Sequence, residues 1–297
     1  MSQRTPPQVL HIPVLLDATL ELLQPKEGES YLDLTAGYGG HAKAFMQRTG
    51  KQASSTLVDR DDYAIGKLSE LANDNVRLLH TDFVSAAKAL IEEDKQFDIV
   101  LIDLGVSSPQ LDQGERGFSF KNKGPLDMRM DRRQELTAAI LVNTGKVAEL
   151  ERIIRQYGEE PAGVAKRIAL AIVKNRPFVT TEQLADLILQ EHRGKRGKIH
   201  PATRTFQALR IAVNAELQQV ETVLPLLPQL LRPGGRVGII SFHSLEDRLV
   251  KRYFAEQKAD GLEAELQILT KKPVDGAISD VSNPRARSAK LRAAVKI

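Results

Sequence analysis

Short apolar runs alternate with amphipathic stretches through the first hundred residues of the chain. Runs with the length of buried strands occupy residues 31–34, 55–59, 76–80 and 97–103. Between them, apolar positions recur at helical spacing over residues 40–48, 62–72 and 84–93. Strands that alternate in this way with helices of about ten residues are typical of βαβ units, so we expect a parallel sheet.

This rhythm breaks after residue 103. Residues 104–135 are rich in Gly, Ser, Pro and charged side chains, which predicts a long loop, and irregular loops of this length usually serve a function. Only helical patterns follow, over residues 136–142, 147–156, 164–174 and 181–191. A longer helical run over 203–231, which Pro225 and Pro228 are expected to split, then leads to an apolar strand over 235–241.

The order of these elements predicts one α/β domain with a Rossmann-like sheet, into which a helical domain is inserted after the fourth strand. We place the first part of the sheet domain at residues 1–110 and its second part at residues 203–297. The loop and the helical insertion occupy residues 111–202, and we expect them to recognise the substrate.

Composition narrows the function classes. The 297-residue chain is 42% hydrophobic and 27% charged, which is ordinary for a soluble globular protein. No stretch approaches the ~18 consecutive apolar residues of a spanning helix, and the N-terminus has no apolar signal region, so we expect a cytoplasmic protein without membrane contact. The chain has no cysteine, which excludes thiolate zinc sites and cysteine nucleophiles, and without any known metal signature we expect no metal.

A glycine turn lies between the first predicted strand and the first predicted helix. Gly37, Gly39 and Ala42 satisfy the G-x-G-x-x-G/A spacing of a nucleotide-binding turn, in which glycine lets a ligand approach the backbone. Asp59 follows at the end of the second strand, where a carboxylate can accept hydrogen bonds from both hydroxyls of a ribose. The alternative is an ordinary tight turn and a solvent-facing aspartate.

Charge decides which nucleotide fits. The first, second and fourth strands end in Asp33, Asp59 and Asp103, and ligands of open α/β sheets bind at the carboxyl ends of strands. These acids would repel the pyrophosphate of NAD but attract the sulfonium and ammonium of S-adenosylmethionine, which disfavours an NAD-dependent oxidoreductase. Phe83 lies where an adenine could be covered, with a core position as the equal alternative, and Asp103 could instead be an N-cap or turn residue.

Basic residues cluster in two segments that contain no acid. The first segment, residues 192–204, includes Arg193, Lys195, Arg196 and Lys198. The second segment is residues 283–297. Such clusters suit the phosphate backbone of a nucleic acid, so we expect an RNA substrate that contacts these four side chains. The alternative is a solvated loop and a solvated tail.

Several blocks of the sequence resemble the bacterial small-subunit ribosomal RNA methyltransferase H family, also called MraW. They lie at residues 11–16, 33–41, 103–131, 200–207, 241–248 and 283–288. The resemblance covers nearly the whole chain, and the blocks at 103–131 and 241–248 are the most specific. The chain departs from the family at Ala42, where Ser or Thr is usual.

The resemblance implies a methyltransferase domain with an inserted substrate domain, and N4-methylation of a cytidine at the decoding centre of 16S rRNA. It makes S-adenosylmethionine the cofactor and 16S rRNA or the small ribosomal subunit the partner, and it leaves a homodimer open. Carried across, the family's cofactor contacts fall on Gly39, Gly40, His41, Asp59, Phe83, Asp103 and Gln110. To these we add Asp33 and Gly37, from the carboxyl-end position and the glycine turn.

The exocyclic amine of cytosine is a poor nucleophile, and an enzyme assists it by accepting hydrogen bonds from its N–H groups. Amino-methyltransferases commonly do this with a polar-Pro-Pro-aromatic motif after the fourth strand, which residues 107–110 resemble in position but without the second proline and the aromatic. The catalytic candidates are therefore Asp103, Ser107, Ser108 and Pro109. Phe118 and Phe120 are candidates for stacking on RNA bases, and the equal alternative is that they anchor the loop.

His243 follows the last predicted strand. The sequence has no G-x-S-x-G elbow, so we do not expect His243 to belong to a hydrolytic site. We expect it to line the pocket, the alternative being a helix N-terminus capped by Ser241 or Ser244. Two other functions stay open at this point. A methyltransferase for a small molecule or a protein would show no salt-sensitive RNA binding, and a non-catalytic RNA-binding protein would bind without turnover.

Overall fold

The computed structural model describes residues 13–192 and 200–297. The chain divides into two compact units. The sheet unit consists of the described part of Met1–Leu104 together with Thr222–Ile297, and the helical unit is the described part of Gly105–Glu221. None of the helices in the described ranges combines the length and apolar character that crossing a membrane requires.

Eight strands and fourteen α-helices are numbered here in chain order within the described residues. The strands are β1 (Tyr31–Asp33), β2 (Ser55–Asp59), β3 (Val76–His80), β4 (Phe97–Asp103), β5 (Leu231–Ser241), β6 (Leu266–Ile268), β7 (Val274–Asp275) and β8 (Lys290–Lys296). The helices before the helical unit are α1 (Leu16–Leu23), α2 (Gly40–Thr49), α3 (Asp62–Leu68) and α4 (Phe83–Glu92). The remaining helices are α5 (Ser108–Asp112), α6 (Ala138–Thr144), α7 (Val147–Tyr157), α8 (Ala162–Lys174), α9 (Thr181–Gln190), α10 (Ala202–Asn214), α11 (Glu216–Val223), α12 (Leu227–Leu230), α13 (Ser244–Ala259) and α14 (Gly276–Ser279).

The sheet has the strand order β3-β2-β1-β4-β5-β8-β6, with β7 also paired to β8. Strands β1 to β5 run parallel, and β8 runs antiparallel to β5, β6 and β7. The predicted α/β class with a Rossmann-like parallel sheet is therefore confirmed, and β1 to β4 lie where the apolar runs placed them.

Burial explains why the parallel strands were readable from the sequence. Leu32 of β1 and residues 99–101 of β4 are fully buried, as expected for strands covered on both faces. Helix α2 closes one face by stacking Phe45 on Tyr31, with ring centroids 4.7 Å apart. Strand β5 begins at Leu231, four residues before the prediction, because its pairing with β4 shifts register across the turn-like residues 232–235.

The basic C-terminal segment is not a solvated tail. Its residues 290–296 form β8, inside the sheet, and Arg292 is only 7% exposed. The Arg292 Nε donates to Asp247 Oδ1 over 2.7 Å, and its second terminal nitrogen donates to Oδ2 over 3.2 Å. The expectation of phosphate contacts from this segment is thus wrong for Arg292, whose guanidinium is committed to a buried carboxylate.

Arg292→Gln should lower the free energy of unfolding by about 2 kcal/mol, because it leaves the buried Asp247 without its bidentate partner. This loss of stability is small for the breaking of a buried ion pair, because Asp247 keeps a second cation: Lys290 Nζ remains 3.6 Å from Asp247 Oδ2. Urea unfolding measures the change. An unaltered unfolding midpoint, or a lowered salt dependence of RNA binding in this variant, would contradict the structural role.

The helical unit has its own apolar core. Side chains from α6 to α10 fill it, including Leu150, Ile154, Ile172, Leu184 and Leu209. Helix α10 belongs to this core, whereas the sequence prediction placed it in the second part of the sheet domain. Along the chain, the boundaries between the compact units fall at 104/105 and 221/222, and the predicted boundaries were at 110 and 202. The long helical run first ends at Ala215, whose φ is 50°, ahead of the two prolines.

The segment 104–135 is less irregular than predicted, since it contains α5 and a 3₁₀ turn at Gly114–Arg116. Arg116 is 1% exposed, and its guanidinium donates to the carbonyls of Arg129 and Met130 over 3.1 and 3.3 Å. Gly124 lies against the backbone of Gly114 so closely that a Cβ would stand 1.7 Å from the Gly114 oxygen. The loop therefore has a fixed, packed conformation that depends on glycine.

Candidate functional site

The predicted glycine turn connects β1 to α2 in the sheet unit. Gly37 and Gly39 have φ values of 54° and 78°, in the left-handed region that favours glycine. A Cβ on Gly39 would stand 2.9 Å from Leu71 Cδ1, so this position is also closed to larger residues by packing. Gly39 is the N-cap of α2, so the first backbone N–H groups of that helix point out of its N-terminal end.

Asp59 is tied to this turn by hydrogen bonds. Its Oδ2 accepts from the N–H of Gly37 over 2.8 Å, and its Oδ1 accepts from the N–H of Asp61 over 2.8 Å. Burial raises the pKa of Asp59, and these two backbone hydrogen bonds oppose the shift. Each carboxylate oxygen keeps a second lone pair, so the side chain can still accept from two hydroxyls. The structure thus brings together the two parts of the predicted nucleotide motif.

Asp33 lies at the carboxyl end of β1 and is 1% exposed. It accepts from the Tyr31 hydroxyl over 2.7 Å and from the N–H of Thr35 over 3.1 Å. Burial raises its pKa to about 7, against the opposing effect of the hydrogen bonds from Tyr31 and Thr35, and the charge of Asp59 adds to the rise. A buried acid of this kind is stabilised in its ionised form by a cationic ligand.

Asp33→Asn should flatten the pH dependence of stability in the cofactor-free protein. The parent carboxyl favours the folded state fully below its usual pKa of 3.8, and this contribution is lost as pH rises through about 7. The free energy of unfolding of the variant should therefore rise relative to that of the parent between these values, by up to about 1.4 kcal/mol per pH unit. Thermal unfolding across pH 4–8 measures the difference, and parallel curves would rule out an ionisable, buried Asp33.

Asp103 ends β4. Its N–H donates to Thr35 Oγ1 over 2.6 Å, while its buried Oδ1 has no hydrogen-bond partner within residues 13–192 and 200–297. Burial and the negative charges of Asp33 and Glu246 raise the pKa of Asp103 well above its usual value. Since no described backbone N–H is bound by this carboxyl, the N-cap alternative is not realised, and Oδ1 is left as an acceptor for a ligand.

His41 lies in the first turn of α2 and is 6% exposed. Its Nε2 is 3.1 Å from the carbonyl oxygen of Val14, which can only accept, so the geometry assigns a proton to this nitrogen. Its Nδ1 lies 3.7 Å from Asp103 Oδ2. His41 therefore links the residues before α1 to the end of β4, beside the acids of the candidate site.

Glu246 is a site residue that sequence reasoning did not assign. It is 1% exposed, and its Oε2 accepts from the N–H groups of Phe242 and His243 over 2.8 and 3.3 Å. Its charge raises the pKa of Asp103, so it belongs to the same electrostatic site. Its position three residues after His243, at the start of an amphipathic run, was the available signal, since it is typical of a capping box.

His243 is the N-cap of α13. Its side chain accepts from the N–H of Glu246, with Nδ1 as the acceptor at 3.4 Å. The predicted alternatives of Ser241 or Ser244 as the cap are therefore wrong, because the histidine ring itself takes that role. Its place as a pocket-lining residue stays a prediction.

Phe83 begins α4, directly after the N-cap Asp82. Its side chain is 8% exposed, which favours the core alternative, and an adenine contact stays a prediction.

In the helical unit, Ser107 is the N-cap of α5, and Gln110 Oε1 accepts from the Ser107 N–H over 2.9 Å. Gln110 thus fixes the turn that carries Ser107, Ser108 and Pro109, and its contact with the cofactor also stays a prediction.

The two aromatic candidates of the long loop are packed inside the helical unit. Phe118 is 6% exposed and belongs to the apolar core. Phe120 packs against His200 and Phe206, with ring centroids 4.6 and 5.0 Å away. Phe118 therefore anchors the loop in the core of the helical unit, and its burial does not support stacking on an RNA base. The RNA-binding candidates Arg193, Lys195, Arg196 and Lys198 lie outside the described residues.

Comparison with known proteins gives consistent matches. Residues 8–297 match the sequence profile of the MraW methylase family. The chain is 48% identical to "Ribosomal RNA small subunit methyltransferase H" of Synechocystis sp. over 294 residues, which covers 97% of this chain and 93% of the relative. It is 46% identical to the protein of that name from Cyanothece sp. (98% and 96% covered) and 44% identical to that from Heliobacterium modesticaldum (97% and 98% covered).

Proposed function

Because the chain belongs to the MraW methylase family, we propose that it methylates the exocyclic N4 of a cytidine in the decoding centre of 16S rRNA. The observation that carries the proposal is the glycine turn surrounded by carboxyl groups at the ends of β1, β2 and β4. Its relatives are named as methyltransferases of small-subunit ribosomal RNA, which supports the same class of substrate. We further propose that the reaction takes place in the cytoplasm, on the small ribosomal subunit or its RNA.

The residues of the sheet unit fit S-adenosylmethionine. Asp59 would accept from the ribose hydroxyls, the turn at Gly37 and Gly39 gives the backbone close access, and the buried Asp33 suits the ligand's positive charge. The unpartnered Asp103 Oδ1 offers a further acceptor. When bound, the cofactor supplies an electrophilic methyl group on a cationic sulfur. The same acids oppose a pyrophosphate, which speaks against the nicotinamide alternative.

The chain's own part in the reaction is to hold the amine and accept its proton. With the cofactor bound, the cytosine nitrogen would take the methyl group as the sulfur leaves as a neutral thioether, and the nitrogen would then have to release one proton. Asp103 is suited to take it, because burial and the charges of Asp33 and Glu246 raise its pKa. The hydroxyls of Ser107 and Ser108 and the Pro109 carbonyl are proposed to accept hydrogen bonds from the amine.

The absence of cysteine from the sequence favours attack by nitrogen. Methylation of a pyrimidine at C5 typically requires addition of a thiolate to the ring, and this chain has none. The amine of a cytidine is consistent with the acceptor groups proposed above. The basic residues between 193 and 198 are proposed to contact RNA phosphates, and this assignment rests on sequence alone.

The proposal is tested by nucleoside mass spectrometry of small-subunit rRNA from cells with and without the gene for this protein. We expect one N4-methylated cytidine position to lose its N4-methyl group in the deleted strain. Re-expression of the parent should restore the modification, and re-expression of Asp103→Asn should not. Unchanged modification in the deletion strain would overturn the proposal.

A further inference from the structure

We propose that a groove along α8 binds the phosphate backbone of the substrate RNA, an inference that rests on the proposed function. This α8 groove is open, has a volume of about 440 Å³, and is lined by Gly163, Lys166, Arg167, Leu170, Lys174 and Glu191. All of these lining residues belong to the helical unit. The family resemblance implied a substrate domain in this part of the chain, but neither it nor the basic clusters named a residue of α8.

Helical spacing places the cations of this groove on one face of α8. Lys166 and Arg167 lie three and four residues after Gly163, Leu170 lies seven after it, and Lys174 eleven. At 1.5 Å per residue, Lys166 and Lys174 are about 12 Å apart along the axis. One strand of double-helical DNA carries a phosphate about every 3.4 Å of axis, and on that scale the row is about three phosphate spacings long.

The charge of the groove is not cancelled by its own acid. Glu191 is engaged by Arg167, whose Nε donates to the Glu191 carbonyl over 3.2 Å and lies 3.9 Å from the carboxylate. Lys166 and Lys174 are exposed, and no ion pair or hydrogen bond joins either ammonium to the part of the chain that the structure describes. Two cations therefore remain free to replace the counterions of a polyanion.

Leu170 lies between the two lysines and is 50% exposed, whereas the core-facing residues of α8, such as Ile168 and Ile172, are buried. A single apolar side chain between cations suits the sugar and base surfaces that flank a phosphate. A membrane surface would require a broad apolar face opposite the charges, and on α8 that apolar face is already buried in the core of the helical unit. The groove therefore fits RNA better than lipid.

The test compares Lys166→Gln/Lys174→Gln with a matched control, Lys251→Gln/Lys258→Gln, which removes the same charge from the exposed surface of α13. Affinity for a 16S rRNA transcript and for isolated small subunits is measured by fluorescence anisotropy over a series of salt concentrations. In the α8 variant, the slope of log affinity against log salt should fall by about 1.4 to 1.8. In the control variant the slope should stay near that of the parent, and calorimetry should show equal S-adenosylhomocysteine affinity in all three proteins.

Leu170→Glu provides a second variant, since an exposed position tolerates the change without loss of fold and the new charge repels phosphate. It should weaken RNA binding at low salt more than at high salt. The inference is overturned if the α8 double variant keeps the parent's salt slope while the parent binds and methylates the RNA. If the parent neither binds nor methylates small-subunit RNA, the proposed function fails first and this inference fails with it.

Discussion

Asp103→Ala should lower the single-turnover rate of methyl transfer by about 100-fold or more, measured at saturating cofactor and RNA. Asp103 carries a buried oxygen without a partner in the described residues, and we propose that it accepts the proton that the amine releases. Removal of this group takes away an interaction that strengthens as the amine becomes charged. RNA affinity should hardly change, because one short acid contributes nothing to phosphate binding.

Two further variants separate the contributions to this rate. Asp103→Asn keeps an acceptor oxygen but cannot take a proton at neutral pH, so its rate should be as low as that of the alanine variant. Ser107→Ala should give a smaller loss, because Ser108 and Pro109 are proposed to offer other acceptors in the same turn. Loss of RNA affinity with an unchanged single-turnover rate would reverse the roles assigned to Asp103 and Ser107.

Asp59→Ala should weaken binding of S-adenosylmethionine by roughly 10- to 150-fold, since a charge-assisted hydrogen bond contributes about 1.5–3 kcal/mol. The variant would lose the acceptors proposed for the ribose, and it would also lose the hydrogen bonds that Asp59 accepts from the N–H groups of Gly37 and Asp61. Isothermal titration calorimetry measures the affinity. An unchanged dissociation constant would remove this residue from the cofactor site.

A ribose-modified ligand distinguishes the two causes of this loss. If Asp59 binds the ribose, the parent should lose affinity for the 3′-deoxyribose analogue of S-adenosylhomocysteine, and Asp59→Ala should bind the two ligands almost equally. If Asp59 only holds the glycine turn, both proteins should discriminate against the analogue to the same extent. Asp186→Ala, at an exposed position of α9, serves as the matched control for loss of an aspartate.

The parallel half of the fold could be predicted because most of its strands are buried on both faces, the edge strand β3 being the exception. The runs at β1 to β4 are mostly apolar, with single polar residues such as Arg77 and Asp98, and the turn between β1 and α2 carries glycines at positions of positive φ. The relation between Gly37 and Asp59 was also readable, since it depends on a fixed spacing between a turn and the next strand.

The C-terminal strands could not be predicted from local pattern. Strand β8 carries Lys290, Arg292 and Lys296, whose charges hide an apolar run, and Arg292 is tolerated there only because Asp247 of α13 meets it. Such a pair depends on tertiary contact and leaves no periodic signal. Helix α10 was likewise assigned to the wrong compact unit because periodicity shows that a helix has an apolar face but not which core receives it.

A reconstituted reaction shows whether this protein methylates N4 of a cytidine in the decoding region of 16S rRNA. Purified protein is incubated with unmethylated small subunits and S-adenosylmethionine that carries an isotope-labelled methyl group, and the rRNA is then digested to nucleosides. N4-methylcytidine, 3-methylcytidine and 5-methylcytidine have equal mass and are separated by chromatography. We expect label in N4-methylcytidine, from a single fragment of the decoding region, and no label with Asp103→Asn. Label in another nucleoside, or binding of the subunit without any label, would contradict it.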